Sequence, residues 1–208
     1  MADIDLDLFK LNGENVVKGD QVFDDGRRVI LFTFNDHLDY LRTAKAILVD
    51  GTFRITPHLW TQTFIISAEV TTGVFVPVAF ALLPDKKKES YLAMFSLLKD
   101  TLDNLGYELS ASYFMSDFEF AIRDSFQTIF PGIEAKGCAF HLAKAIQGKV
   151  ARSGFKKDYE NDPKFNSFTR AMIGLTYVPL DRLADGIKNP WNMFHVSDTE
   201  FGFKVQIK

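Results

Sequence analysis

The chain has 208 residues, 47% hydrophobic and 25% charged, with a formal net charge of -3. That length suits one substantial domain with its own core, and the acidic balance lacks the electrostatic footprint of a stand-alone nucleic-acid binder. A single cysteine, Cys138, excludes an internal disulfide and any zinc site built from several cysteines, which suits a reducing compartment.

Residues 1–44 are expected to form an N-terminal arm with a short strand and a helix. The start MADIDLDLFK is acidic and lacks the basic and apolar segments of a secretory signal, and NGEN and DDGRR are turn signals. VILFTF (29–34) reads as a strand buried on both sides or packed at an edge. NDHLDYLRTA then predicts a short helix with Asn35 or Asp36 as N-cap before Leu38, Leu41 and Ala44.

Three strands follow, AILVDGTFRI (46–55), QTFIISAEV (62–70) and VFVPVAFALLP (74–84), and the turn TTG joins the last two into an antiparallel meander. The third is far too short to span a bilayer, so a soluble protein is expected, and Pro77 inside it predicts an edge or a bulge. DKKKESYLAMFSLLKDTLDNLG predicts a helix on Leu92, Phe95, Leu98, Leu102 and Leu105, stopped by Gly106. Its KKK, with RSGFKK at 152–157, concentrates positive charge locally.

SASYFMSDFE reads as a strand ending on Asp117, and Phe118, Ile122, Phe126 and Ile129 mark a helix halted by Pro131 and Gly132. IEAKGCAF is a short strand running into the helix HLAKAIQGKV, with Leu142 and Ile146 on one face. Beyond 155 come DPKFNSFTRAMIGL, with Pro163 in its first turn, PLDRLADGI after Pro179, and a tail without period. The 21 Phe against 6 Tyr and 2 Trp predict a core rich in phenylalanine. The fold class is α/β: a mixed sheet, an antiparallel three-strand meander followed by alternating helices and strands, with a C-terminal helical segment, the pattern of a ribonuclease H-like domain. The core spans 45–150, and 151–208 is a helical insertion with an atypical C-terminus expected to be truncated.

Asp50 in LVDGTF and Asp117 in FMSDFE each break an apolar run at a strand end. If the first and fourth strands of the core lie side by side, the two carboxylates meet. Close carboxylates require a proton or a cation between them, oxygen ligands favour magnesium or manganese, and a pair of such ions suits in-line phosphoryl displacement. Singly, each has a plainer explanation: Asp50 before Gly51 as a turn residue, Asp117 as a helix N-cap.

LVDGTFRITP, VPVAFALLPDKKKESYLAMFSLLK, FMSDFEFAIRDSFQTIFPG and KGCAFHLAKAI, in this order and spacing, resemble the transposase domain of Mutator-like elements (MULE), and MIGLTYVP is similar to a further segment of that family. The resemblance covers roughly residues 45 to 180. It implies a ribonuclease H-like transposase core of the Asp-Asp-Glu type that holds Mg2+ or Mn2+ and performs DNA cleavage and strand transfer in transposition. DNA (transposon ends) is the implied partner and the nucleus the implied location, with no membrane and no small-molecule cofactor. Asp50 and Asp117 match the first two catalytic, metal-binding acids.

Cys138 and His141 match the family's Cys-x-x-His signature. Spaced by three, they are expected to share a helical face, with His141 and Cys138 candidates for contacting substrate or supporting the metal ligands, or for simple core packing. Glu119 is either an auxiliary ligand or a first-turn residue favoured by the helix dipole. The family's third acid, a Glu in an Asn-rich stretch beyond a helical insertion, has no matching counterpart; Asp198 and Glu200 lie in the right region in different surroundings, and the upstream zinc-binding domain is missing. The expected function is therefore a transposase-derived domain whose chemistry is incomplete in this chain. The alternatives are a catalytically silent DNA- or protein-binding module, and a nuclease completed by Glu119 or Glu200. Apolar surface left uncovered by an incomplete core would favour self-association.

Overall fold

Apolar runs bounded by turn residues become strands along the first two thirds of the chain. The computed structural model describes residue 6 and residues 9–188, and the chain divides into two units, 1–137 and 138–208. In chain order the first unit runs β1 (Lys10–Leu11), β2 (Glu14–Asn15), β3 (Val17–Val22), β4 (Arg28–Thr33), α1 (Asn35–Thr43), β5 (Ala46–Thr52) and β6 (Gln62–Thr71). It continues with β7 (Val74–Leu83), α2 (Lys88–Asn104), β8 (Tyr113–Ser116), α3 (Phe120–Ile129) and β9 (Glu134–Gly137). β1 and β2 pair alone, and the other strands form a seven-stranded sheet in the order β3-β4-β7-β6-β5-β8-β9.

The predicted meander is present: β6 is antiparallel to both β5 and β7. β8 then joins β5 in parallel, and β9 joins β8 in parallel, so the sheet is mixed. VILFTF supplies β4, which lies between β3 and β7 with Val29, Ile30 and Leu31 buried. Residues before 45 thus add two strands to the sheet.

Several local expectations change. α1 is preceded by Phe34 at its N-cap, not by Asn35 or Asp36; the Asn35 N–H is instead accepted by Glu14 Oε1 at 3.0 Å, so a distant carboxylate does the work of a local cap. Of the two placements expected for Pro77 the bulge is the one found: it sits in an interior strand, beside a register shift in which Ile66 pairs with Ala79 and Ser67 with Pro77. On its other side the β4 pairing stops at Ala79, so the missing proline N–H breaks no ladder there.

α2 buries Ser90, Tyr91, Ala93, Met94, Phe95, Leu98 and Leu102, whereas Leu105 is exposed. The buried stripe is therefore rotated toward Tyr91 and Met94. Gly106 ends the helix at φ +68, with its N–H on the Asp103 carbonyl and that of Tyr107 on the Leu102 carbonyl, the paired bonds of a Schellman closure that a left-handed glycine permits.

The second unit contains α4 (Ala139–Arg152), α5 (Lys156–Asn161), α6 (Pro163–Gly174), 3-10 turns at Leu175–Tyr177 and Leu180–Arg182, and α7 (Leu183–Lys188). α6 has Pro163 in its first turn and Asp162 as N-cap, accepting from the N–H groups of Lys164 and Phe165. Asp198, Glu200 and the rest of the tail lie outside the described residues. Among the described residues no helix is long and apolar enough to cross a membrane.

One face of the sheet in the first unit carries the core, and phenylalanine dominates it as predicted. Phe114 of β8 stacks on Phe126 of α3 with ring centroids 3.8 Å apart, Phe95 meets both rings edge-on, and Phe64 continues the series to Phe95 and Tyr91. Ring stacking of this kind adds to the burial of apolar area. Phe114→Ala is expected to cost about 3–5 kcal/mol, read as a lower midpoint in urea unfolding followed by circular dichroism.

Candidate functional site

β5 and β8 carry the two aspartates. The parallel ladder pairs Ala46 with Tyr113, Ile47 with Phe114 and Leu48 with Met115, and Asp50 and Asp117 each follow its last pair by two residues. Side chains alternate along a strand, so Asp50 shares a sheet face with Leu48, while Asp117 directly follows Ser116, the last residue of β8. The opposite face holds the buried Ile47, Val49 and Phe114. Asp50 is exposed and Asp117 half-buried, both at the C-terminal ends of neighbouring strands. The first and fourth strands of the predicted core are thus neighbours.

The local explanations for the two acids fail individually. Asp50 and Gly51 are not in a turn: both lie within β5, paired with Ile65 and Phe64. A Cβ at 51 would lie 2.5 Å from Gln62 Oε1, so any larger residue there requires the Gln62 amide to shift. Asp117 is not the N-cap of α3, a place taken by Glu119. Asp117 Oδ1 instead accepts the Glu119 N–H at 3.0 Å, an Asx turn that turns the strand end into the helix.

Glu119 precedes the first helical turn, and its carboxylate is committed elsewhere. Oε1 accepts the Tyr91 hydroxyl at 2.9 Å, and Oε2 lies 3.5 Å from Lys86 Nζ, whose ammonium also stands 4.7 Å over the Phe53 ring. Tyr91 is fully buried, and its oxygen accepts from Gln62 Nε2 at 2.9 Å. Burial above all, followed by the nearby charges of Glu119 and Asp117, pushes the Tyr91 phenol well above its usual range. The ring of Phe118 covers the backbone of Gly137, where a Cβ would lie 2.4 Å from Phe118 Cζ.

Cys138 and His141 belong to the second unit. Cys138 is the half-buried N-cap residue of α4, outside the helix itself, and its carbonyl accepts the Leu142 N–H. His141 lies one turn in, with its ring edge-on to Phe140 at 5.6 Å. Among the described residues no three His, Cys, Asp or Glu side chains gather into a group able to hold a metal ion.

Gln62, Tyr91 and Lys86 are the residues that sequence reasoning missed. Tyr91, on one helical stripe with Phe95, Leu98 and Leu102, was the available signal, since a buried phenol needs a partner.

Residues 46–145 match the family model described as MULE transposase domain. No curated protein matches the chain.

Gly51→Ala is expected to destabilise the fold by about 1–3 kcal/mol through overpacking against Gln62. Adding Gln62→Ala should relieve part of that cost, so a double-mutant cycle in urea should show coupling between the two positions. Tyr91 titrates higher folded than unfolded, so its contribution is complete below the free phenol value of 10.0 and is lost as pH rises beyond it. Between pH 9 and 11 the wild type should therefore lose unfolding free energy more steeply than Tyr91→Phe.

Proposed function

We propose, from the match of residues 46–145 to the MULE transposase domain family model, that Asp50 and Asp117 are two ligands of a divalent-metal centre whose ancestral chemistry is DNA cleavage and strand transfer. The observation that supports this is the parallel β5–β8 pairing, which brings the strand ends that carry the two aspartates side by side. Two anionic groups so arranged favour a shared cation, and a donor set made only of carboxylate oxygens fits magnesium or manganese better than zinc. The strand order, three antiparallel strands with two parallel ones added beside the first, supports a ribonuclease H-like organisation.

When bound, such ions activate the attacking oxygen and neutralise the leaving one. The chain's own residues contribute position. The β5–β8 ladder aligns the strand ends from which the two aspartates extend, and the Glu119 N–H holds one oxygen of Asp117. Glu119 itself, engaged by Tyr91 and Lys86, is a poor third ligand. Among the described residues no third acid joins the pair in a group able to hold a metal ion. DNA ends are the proposed substrate, and the nucleus the proposed location.

Calorimetric titration of the 208-residue chain with manganese tests this. Binding in the low-millimolar range is expected, and its loss in the Asp50→Asn, Asp117→Asn double variant assigns it to the pair; identical traces for both proteins would sink the assignment. The same chain should join no DNA ends in magnesium, and robust joining would show that the ligand set is complete.

A further inference from the structure

We propose that Gln62, Tyr91 and Glu119 form a buried polar tie that fixes the Asp117 turn against the strand carrying Asp50, which makes Tyr91 a positioning residue for the pair. The inference rests on the metal-centre reading above for its purpose, though not for its geometry.

Proton accounting sets the direction of the tie. A carboxylate can only accept, so the Tyr91 hydroxyl spends its one proton on Glu119 Oε1. The contact between Tyr91 and Gln62 must then be donated by Gln62 Nε2, which also reaches the Asp85 carbonyl at 3.3 Å. The Gln62 amide is thereby oriented with Oε1 toward Gly51, at the place where a Cβ would sit. One end of the chain of contacts fills the space beside the residue after Asp50, and the other grips the residue whose N–H holds Asp117.

Gln62 and Tyr91 are buried, at 1% and 0% exposure, and Glu119 is half-buried, so the Gln62–Tyr91 link is shielded from water. Buried hydrogen bonds of this kind are costly to leave unmade. The raised phenol keeps the donor protonated across the working pH range. Lys86 adds a second, exposed link, from the Phe53 ring just beyond β5 to Glu119 Oε2.

Tyr91→Phe removes the donor and keeps the ring; Glu119→Ala removes the acceptor; Glu119→Gln keeps a carbonyl oxygen that can accept the Tyr91 proton. Two readouts on the full chain separate the tie from the metal: hydrogen exchange of the Glu119 amide by NMR, and the manganese dissociation constant by calorimetry. In both Tyr91→Phe and Glu119→Ala the amide should exchange about tenfold faster and manganese should bind about tenfold more weakly, with Glu119→Gln within twofold of wild type in both. Unchanged exchange in Tyr91→Phe overturns the proposal, as does faster exchange with unchanged affinity. If the wild type binds no manganese, the metal-centre reading fails on its own, and the exchange rates decide the tie: acceleration supports it, and no change overturns it.

Discussion

Parallel hydrogen bonding between β5 and β8 is the constraint from which the rest of the site follows. β5 has an antiparallel neighbour on one side and a parallel one on the other, and a parallel neighbour is reached only by a crossover long enough to carry a helix. α2 is that crossover. It returns the chain so that β5 and β8 run out at the same end of the sheet, where the residue after each buried stretch is an aspartate. Had β8 joined antiparallel, the two acids would lie at opposite ends of the strands.

α2 therefore has two duties, and its first turn shows how they are combined. Asp85, just ahead of the helix, accepts from the Lys87 N–H and the Ser90 hydroxyl and from Arg27 Nη1 at 2.7 Å. Burial opposes its ionisation, but these donors outweigh it and hold the carboxyl below its usual value. Arg27 also reaches Asp25 and Glu89, so the β3–β4 turn is tied to the helix start. The next residue after Ser90 is Tyr91. The helix start that closes the core also sets the phenol that reaches Glu119.

Much of the fold was legible because it rests on short apolar runs whose punctuation is local. The meander, α2, α3 and the entry to α6 at Pro163 all follow from period, turn residues and caps. β3 was not legible: VKGDQV is polar and carries a glycine, and it is a strand because β4 offers a ladder. The adjacency of the two strands that lead to the aspartates was legible, while each aspartate's local signal was misleading. Asp50–Gly51 carries a turn signal that cross-strand pairing overrides, and Asp117 precedes a helix that it does not cap. Partners many residues away, Glu14 for α1 and Gln62 for Gly51, decide these places, and no window of neighbouring residues contains them.

The two outer strands of the sheet differ from its interior. β3 carries a register shift between Val17 and Gly19, the side chain of Leu97 stands where a Cβ on Gly19 would be, at 2.9 Å, and Lys18 and Asp20 are engaged by Glu14 and Arg28. β9 is four residues long, with Glu134 and Lys136 paired at 3.3 Å. Bulges, brevity and charge are the devices that keep a sheet edge from recruiting another strand. Neither end offers a long, flat, apolar row for another molecule to extend, so fibril-like growth of this sheet by strand addition is disfavoured at both sides.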